Sequence, residues 1–199
     1  MASKDRILRL KEETRCKILA AAIDISRGEG WQALSMRKIA DKIDYTAPII
    51  YEYFANKEAL LEELTLMGYR KLSLLIQERV VGCNTPEEKI TAMWRAYWDF
   101  AFAEKEFYQL MFGVEVNCCQ FNQKGHDFEL PAELIWDVIE TFPGVKGKEE
   151  SDICKIYYTY WSVVHGLVSI NLVKPDAVPD AISQEVFDNA IHAITNSIQ

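Results

Sequence analysis

An all-α fold of about nine helices is what this sequence predicts, and three observations predict it. Apolar residues recur three and four apart along nearly the whole chain. No run alternates apolar and polar residues as a half-buried strand would. Capping residues, or glycine and proline breakers, stand between the periodic segments. No internal repeat or low-complexity stretch interrupts the pattern.

The first helix reads as Thr14 to Ser26, with Ile18, Ala21, Ala22 and Ile25 on one stripe, and Gly28 and Gly30 end it. Ser35 caps a second helix, Met36 to Ile43, whose Ile39, Ala40 and Ile43 share a face. Asp44 sits where the chain must turn, and Asp tolerates the left-handed conformation. Thr46 offers the next cap. It opens a helix of about two turns with Pro48 in its first turn, where a missing N–H costs nothing. Ile50 and Phe54 point inward from it, while Ala47, Ile49 and Tyr51 point outward.

Asn56 caps a long helix through about Val80 that carries Leu60, Leu61, Leu64, Met67 and Leu74. Gly82, Cys83 and Asn84 break it. Thr85-Pro86-Glu87-Glu88 forms a capping box with proline at the first helical position, opening a helix through Phe102. Glu104 to Phe112 is a shorter helix, Gly113 to Leu130 is irregular, and Pro131 starts another helix to about Phe142. Pro143, Gly144 and Gly147 make a loop before a long apolar helix, Glu150 to Val173. Pro175 and Pro179 punctuate the last connection, and Ile182 to Ile198 closes the chain.

Two short helices joined by a tight turn and clamped by a third deliver one helix to DNA. The helix that Thr46 opens is short and its outer face barely polar, so packing alone does not account for it. The stretch from about Thr14 to Leu64 resembles, without a gap, the DNA-binding domain of the TetR family of bacterial transcriptional regulators. The marks are Ile39-Ala40, the turn at Asp44, Thr46 opening the recognition helix, Tyr51 and Phe54, and Asn56-Lys57-Glu58 opening the next helix. Asp44 stands where the family usually has Gly, and Pro48 and Ile49 where it often has Gly and Thr.

That resemblance implies a three-helix helix-turn-helix domain over 1–57 and an effector-binding and dimerisation domain over 58–199. Tyr51 and Lys57 match family positions that hold phosphates, Lys57 also lying at a helix N-terminus that favours anions. Ser35, Arg37, Lys38, Thr46 and Tyr53 are further candidate contacts. Base reading falls to Thr46, Ala47, Pro48 and Ile49, a largely apolar set suited to thymine methyl groups. Lys4, Arg6, Arg9 and Lys11 form either an arm for an adjacent groove or a solvated tail.

Net charge is −8, which taken alone opposes a nucleic-acid partner. Its distribution points the other way. Residues 1–57 hold 11 Lys and Arg against 8 Asp and Glu, a balance of +3, whereas residues 58–199 hold 11 against 22, a balance of −11. Basic residues gathered in the first quarter are the footprint of phosphate contact. With 199 residues, 49% of them hydrophobic, the chain can bury a full core. No stretch approaches the roughly 18 apolar residues of a membrane span, and Met1-Ala2-Ser3-Lys4-Asp5 leads into charge, so a cytoplasmic protein without a membrane partner is expected. Five cysteines without regular spacing fit reduced thiols.

The aromatic residues concentrate after residue 90. Trp94, Tyr97, Trp98, Phe102, Phe107, Tyr108, Met111 and Phe112 recur at helical spacing, and Trp136, Tyr157, Tyr158, Tyr160 and Trp161 lie on later helices. Core packing is the ordinary role of such a stripe. Trp and Tyr nevertheless carry polar atoms that need partners when buried, and they suit a pocket for an apolar or aromatic small molecule. The candidate effector-binding set is Trp94, Tyr97, Trp98, Phe102, Tyr108, Met111, Phe112, Trp136, Tyr158, Trp161 and His165. Residues 97–102, residues 107–113 and the run Trp161 to Leu167 resemble the ligand-domain helices of the family, where the last lies at or near the dimer interface.

A lone His165 on an apolar helix is ordinarily a hydrogen-bonded core residue, and Gly166 beside it permits two helices to approach. Cys118, Cys119 and His126 carry suitable ligands for a soft metal, but no second spaced pair completes a tetrahedral set. No cofactor is expected. Neither paired acids nor a nucleophile with its base stands at persuasive spacing, so an enzyme is not expected either. The resulting expectation is a homodimeric repressor that leaves a palindromic double-stranded operator when a small-molecule effector binds. The alternative is a helical protein-interaction module that uses the helix-turn-helix as scaffold.

Overall fold

A computed structural model describes residues 2–113, 126–173 and 180–199. Among the described residues there are nine α-helices, one 3₁₀ turn and no strand, the all-α architecture read from the sequence. The helices are α1 (Ala2–Glu29), α2 (Met36–Lys42), α3 (Ala47–Tyr53), α4 (Lys57–Arg79), α5 (Pro86–Ala103), α6 (Lys105–Phe112), α7 (His126–Glu140), α8 (Glu150–Val173) and α9 (Asp180–Asn196), with the 3₁₀ turn over Trp31–Ala33. Cys118, Cys119, Pro175, Pro179 and the side chain of His126 lie outside the described residues.

The chain divides into two compact units, one of Met1–Gly68 with Glu106–Gln123 and one of Tyr69–Lys105 with Lys124–Gln199. The border read from the sequence lies at the start of α4, and the compact division falls within that helix. In the first unit α1 buries Ile18, Ala21, Ala22 and Ile25 against α2, which buries Ile39 and Ala40, and α3 adds Ile50. In the second unit α5 packs on α7, α8 and α9 around Trp94, Phe100, Tyr160, Val168 and Phe187.

The helix boundaries and faces differ from the sequence reading at several places. Helix α1 begins at Ala2, not Thr14, whose hydroxyl instead donates to the Leu10 carbonyl at 2.9 Å in mid-helix. No glycine or proline stands between Ala2 and Arg27, and the Arg9–Glu13 pair at 3.5 Å supports the extension. Lys4, Arg6, Arg9 and Lys11 are therefore exposed positions on a helix, neither an extended arm nor a loose tail. Pro131 lies inside α7 instead of starting it, so residues 126–130, read as irregular, are helical. Leu74, read as part of the α4 apolar stripe, is 59% exposed. The buried positions Leu60, Leu64, Leu72 and Ile76 are spaced by multiples of four, and Leu74 sits half a turn away from them. By contrast the Thr85 box forms as read: Thr85 Oγ1 accepts from Glu88 N at 3.2 Å and Glu88 Oε2 accepts from Thr85 N at 3.3 Å.

Candidate nucleic-acid interface and effector region

The turn between α2 and α3 is built from the residues the sequence placed there. Ser35 caps α2, its hydroxyl accepting from Lys38 N at 3.3 Å. Asp44 has φ 57°, the positive-φ non-glycine residue of the described chain, and behind it Tyr45 N donates to the Ala40 carbonyl at 2.9 Å. Thr46 occupies the cap position of α3 in extended backbone, but its hydroxyl makes no capping bond. The cap bond fails for a local reason. A cap oxygen accepts from the second or third helical N–H; Pro48 is the second residue and has none, and Ile49 N donates to the Thr46 carbonyl at 3.0 Å instead.

Helix α3 has seven residues, and Ile50 alone among them is buried. Phe54, just past its end, is buried too, with the Arg15 guanidinium 5.3 Å above its ring. The opposite face meets solvent: Tyr51 is 52% exposed and Pro48 is exposed, while Ala47 and Ile49 are half-buried instead of fully outward, and Tyr53 is half-buried. Arg37 and Lys38 on α2 are exposed, with Lys38 Nζ 2.6 Å from Glu29 Oε2. Lys57, at the first turn of α4, is half-buried and donates through Nζ to the Trp31 carbonyl at 3.3 Å.

Two residues join parts of this unit that are distant in sequence. Trp31 is buried and donates through Nε1 to the Glu106 carbonyl at 3.1 Å, so one residue joins the start of α6 to the Lys57 side chain. Arg27 reaches the Glu106 carboxylate at 3.5 Å. Gly68 is the second: a Cβ there would stand 2.6 Å from Met111 Sδ and 3.2 Å from the Phe107 ring, so any larger residue would push the Met111 side chain aside where α4 and α6 pass. A Trp just ahead of the short helices and a lone Gly inside a helical pattern are the traces these roles leave in the sequence.

Of the candidate effector residues, Tyr108, Met111 and Phe112 belong to the first unit, with Met111 facing Gly68 and the Tyr108 and Phe112 rings 5.2 Å apart. The others lie in the second unit, all but Trp136 in two groups. Trp98 lies between Phe102, tilted at 5.0 Å, and Phe187, edge-on at 5.3 Å, and with Asn171, Asp180 and Gln184 it lines an open cavity of about 520 Å³. The larger group centres on Trp94, with Tyr97 at 5.8 Å, Tyr157 at 6.0 Å and Tyr160 at 5.6 Å between ring centroids. It continues along α8 through Tyr158 to Trp161, which stacks on His165 at 4.9 Å. Tyr157 and Tyr160, read only as aromatics of a later helix, join the effector candidates here. Trp136 stands apart, half-buried, donating to Glu140 at 2.9 Å.

Burial governs ionisation in this group. It pushes the Tyr157 phenol upward and Tyr160 up to about 12, the latter against the opposing pull of its Thr195 hydrogen bond. It also lowers His165, so the imidazole is neutral at pH 7 and lies 3.2 Å from the Tyr97 hydroxyl. Among the described residues no group of three or more His, Cys, Asp or Glu is placed to hold a metal ion. No described helix is long and apolar enough to cross a membrane.

Comparison with known proteins fixes the family. Residues 18–64 match the model described as bacterial regulatory proteins, tetR family, and residues 90–194 match that of the tetracyclin repressor-like C-terminal domain. The chain belongs to the TetR family. It is 24% identical over 102 residues to the HTH-type transcriptional activator FasR of Mycolicibacterium smegmatis, covering 51% of this chain and 47% of that protein. To the HTH-type transcriptional repressor KstR of Mycobacterium tuberculosis it is 28% identical over 83 residues, 42% of this chain and 38% of that one. The chain thus spans less than half the length of these curated relatives. A solved structure of a Rhodococcus sp. RHA1 protein of unknown function shares the fold, with a TM-score of 0.76 at 21% identity over 92% of this chain and 94% of the other.

Proposed function

We propose that this chain is a homodimeric, ligand-responsive repressor of transcription in the cytoplasm, binding a palindromic operator through residues 1–57 and an apolar or aromatic effector through residues 58–199. The observation that carries the reading is α3: a seven-residue helix anchored by Ile50, with Tyr51 turned to solvent beside Pro48 and Ile49. That geometry suits insertion in a major groove, with Thr46, Ala47, Pro48 and Ile49 toward the bases. Tyr51 and Lys57 meet phosphates. Ser35, Arg37, Lys38 and Tyr53 flank them, and the exposed Lys38–Glu29 pair, weak in water, yields to a phosphate.

Dimerisation is supported by the outer surface of α8 and α9. Tyr158, Ile170, Val173, Ile182 and Val186 are exposed apolar residues, and a Cβ on Gly166 would meet nothing within 4 Å. Such a face suits the two-fold packing of α8 and α9 on their copies. An effector that prefers one conformer lowers DNA affinity by its differential affinity for the two states.

The test is a pair of substitutions. Tyr51→Phe and Lys57→Ala each weaken operator and non-operator DNA alike, measured by fluorescence anisotropy at fixed salt. A changed sequence preference with little loss of affinity would show that the residue reads bases and does not hold phosphate.

A further inference from the structure

Trp94 carries the one buried side-chain polar atom among the described residues that has no hydrogen-bond partner, its indole Nε1. The ring is fully buried on α5 and stacks on Tyr160 with planes 16° apart. None of the three adjoining tyrosine hydroxyls is its partner; Tyr160 Oη lies 2.8 Å from Thr195 Oγ1, and Tyr97 Oη lies 3.2 Å from His165 Nδ1. Buried polar groups are satisfied in nearly every native structure, and a phenylalanine would fill much of this space without a donor to bury. An unmet N–H here is therefore explained by a state of the protein in which it is used.

The chemistry of its partner follows from the surroundings. An indole N–H only donates, so the partner presents an acceptor. The rings around Trp94 are tyrosines, two of them with phenols pushed upward by burial, and His165 at the far side of Tyr97 is neutral. No cation among these ring neighbours offsets the burial of a carboxylate or phosphate, whereas a carbonyl or ether oxygen carries no such cost. The Tyr157 ring, half-buried and tilted 41° to Trp94, suits a flat apolar body. Tyr157 is half-buried where Trp94, Tyr97 and Tyr160 are buried, so the group reaches the surface at Tyr157.

We infer that the effector is an uncharged, flat apolar molecule bearing a carbonyl or ether oxygen, and that the Trp94 indole N–H is the donor that anchors it. This rests on the reading of the second unit as an effector-binding region.

The experiment uses the full chain with ¹⁵N-labelled tryptophan indoles and three probes: acetophenone, the acceptor-free ethylbenzene, and charged benzoate. Trp94→Phe identifies the Trp94 resonance; should that variant not fold, contacts to Tyr160 ring protons in the unaltered protein identify it. Acetophenone is expected to move the Trp94 N–H proton downfield and to bind about tenfold more tightly than ethylbenzene, with benzoate weakest. Trp94→Phe abolishes that preference and melts no lower than the unaltered protein. Equal binding of acetophenone and ethylbenzene, no binding of either, benzoate matching acetophenone, or a preference that survives Trp94→Phe overturns the inference. No DNA enters this experiment. A selected operator without the acetophenone preference refutes only the anchoring role, and the preference without a selected operator refutes only the regulator reading.

Discussion

Truncating Ile50 to alanine tests whether α3 is held by one side chain. Ile50 is fully buried and is the sole buried residue of a seven-residue helix, too short to persist by its own hydrogen bonds. The change removes three carbon groups at about 0.8 kcal/mol each, roughly 2.4 kcal/mol of transfer free energy. A partly unrelaxed cavity raises the cost to about 3 kcal/mol, within the range measured for buried Ile to Ala changes. Ile49, about 100° around the helix and half-buried, supplies the control: Ile49→Ala costs less than about 1 kcal/mol of stability but weakens discrimination among DNA sequences. Urea unfolding followed by circular dichroism gives both stabilities, and amide exchange of α3 reports its local opening. The reasoning fails if Ile50→Ala costs less than about 1 kcal/mol, or if Ile49→Ala costs as much.

Three further outcomes follow from the described geometry. Asp44→Gly relieves a φ of 57° and raises stability by about 0.5 kcal/mol after the entropy of the unfolded glycine is deducted, measurable as a small rise in urea midpoint. Thr85→Ala removes half of the capping box of α5 and lowers stability by about 1 kcal/mol in the same assay. Burial lowers the His165 pKa, so its neutral form contributes stability that is fully present above its ordinary value of about 6.5 and is lost as pH falls through the lower folded value. Melting temperature therefore declines below about pH 6.5, and His165→Gln flattens that decline; an unchanged slope would remove His165 as its source.

How much of this was legible in the sequence depended on whether the signal was local. The cap at Ser35, the turn at Asp44, the inward pair Ile50 and Phe54, and the Thr85 box each rest on residues within four positions of one another, and each formed as read. Thr46 failed as a cap although it stood in the right place, because Pro48 removed one donor and the backbone took the other. Leu74 was misplaced because a four-residue step along α4 carries the buried stripe away from it. Trp31 and Gly68 escaped notice since their partners, Glu106 and Met111, are distant in sequence, and no local spacing encodes such a contact. In the second unit the aromatics themselves were legible, but their grouping was not. Helical spacing says which rings share a face of one helix and nothing of which helix that face meets, so the stacking of Trp94 on Tyr160 was invisible.

The central claim is that α3 reads DNA as one of a two-fold pair. Selection of bound sequences from a random double-stranded library by the purified chain, repeated across a salt series, tests it most directly. The account predicts a palindromic consensus whose half-sites lie about one helical turn apart, roughly 34–36 Å, or a multiple of it, bound with an affinity that falls steeply as salt rises. Absence of any enriched sequence at low salt would contradict it and leave the helix-turn-helix as a scaffold for protein contact.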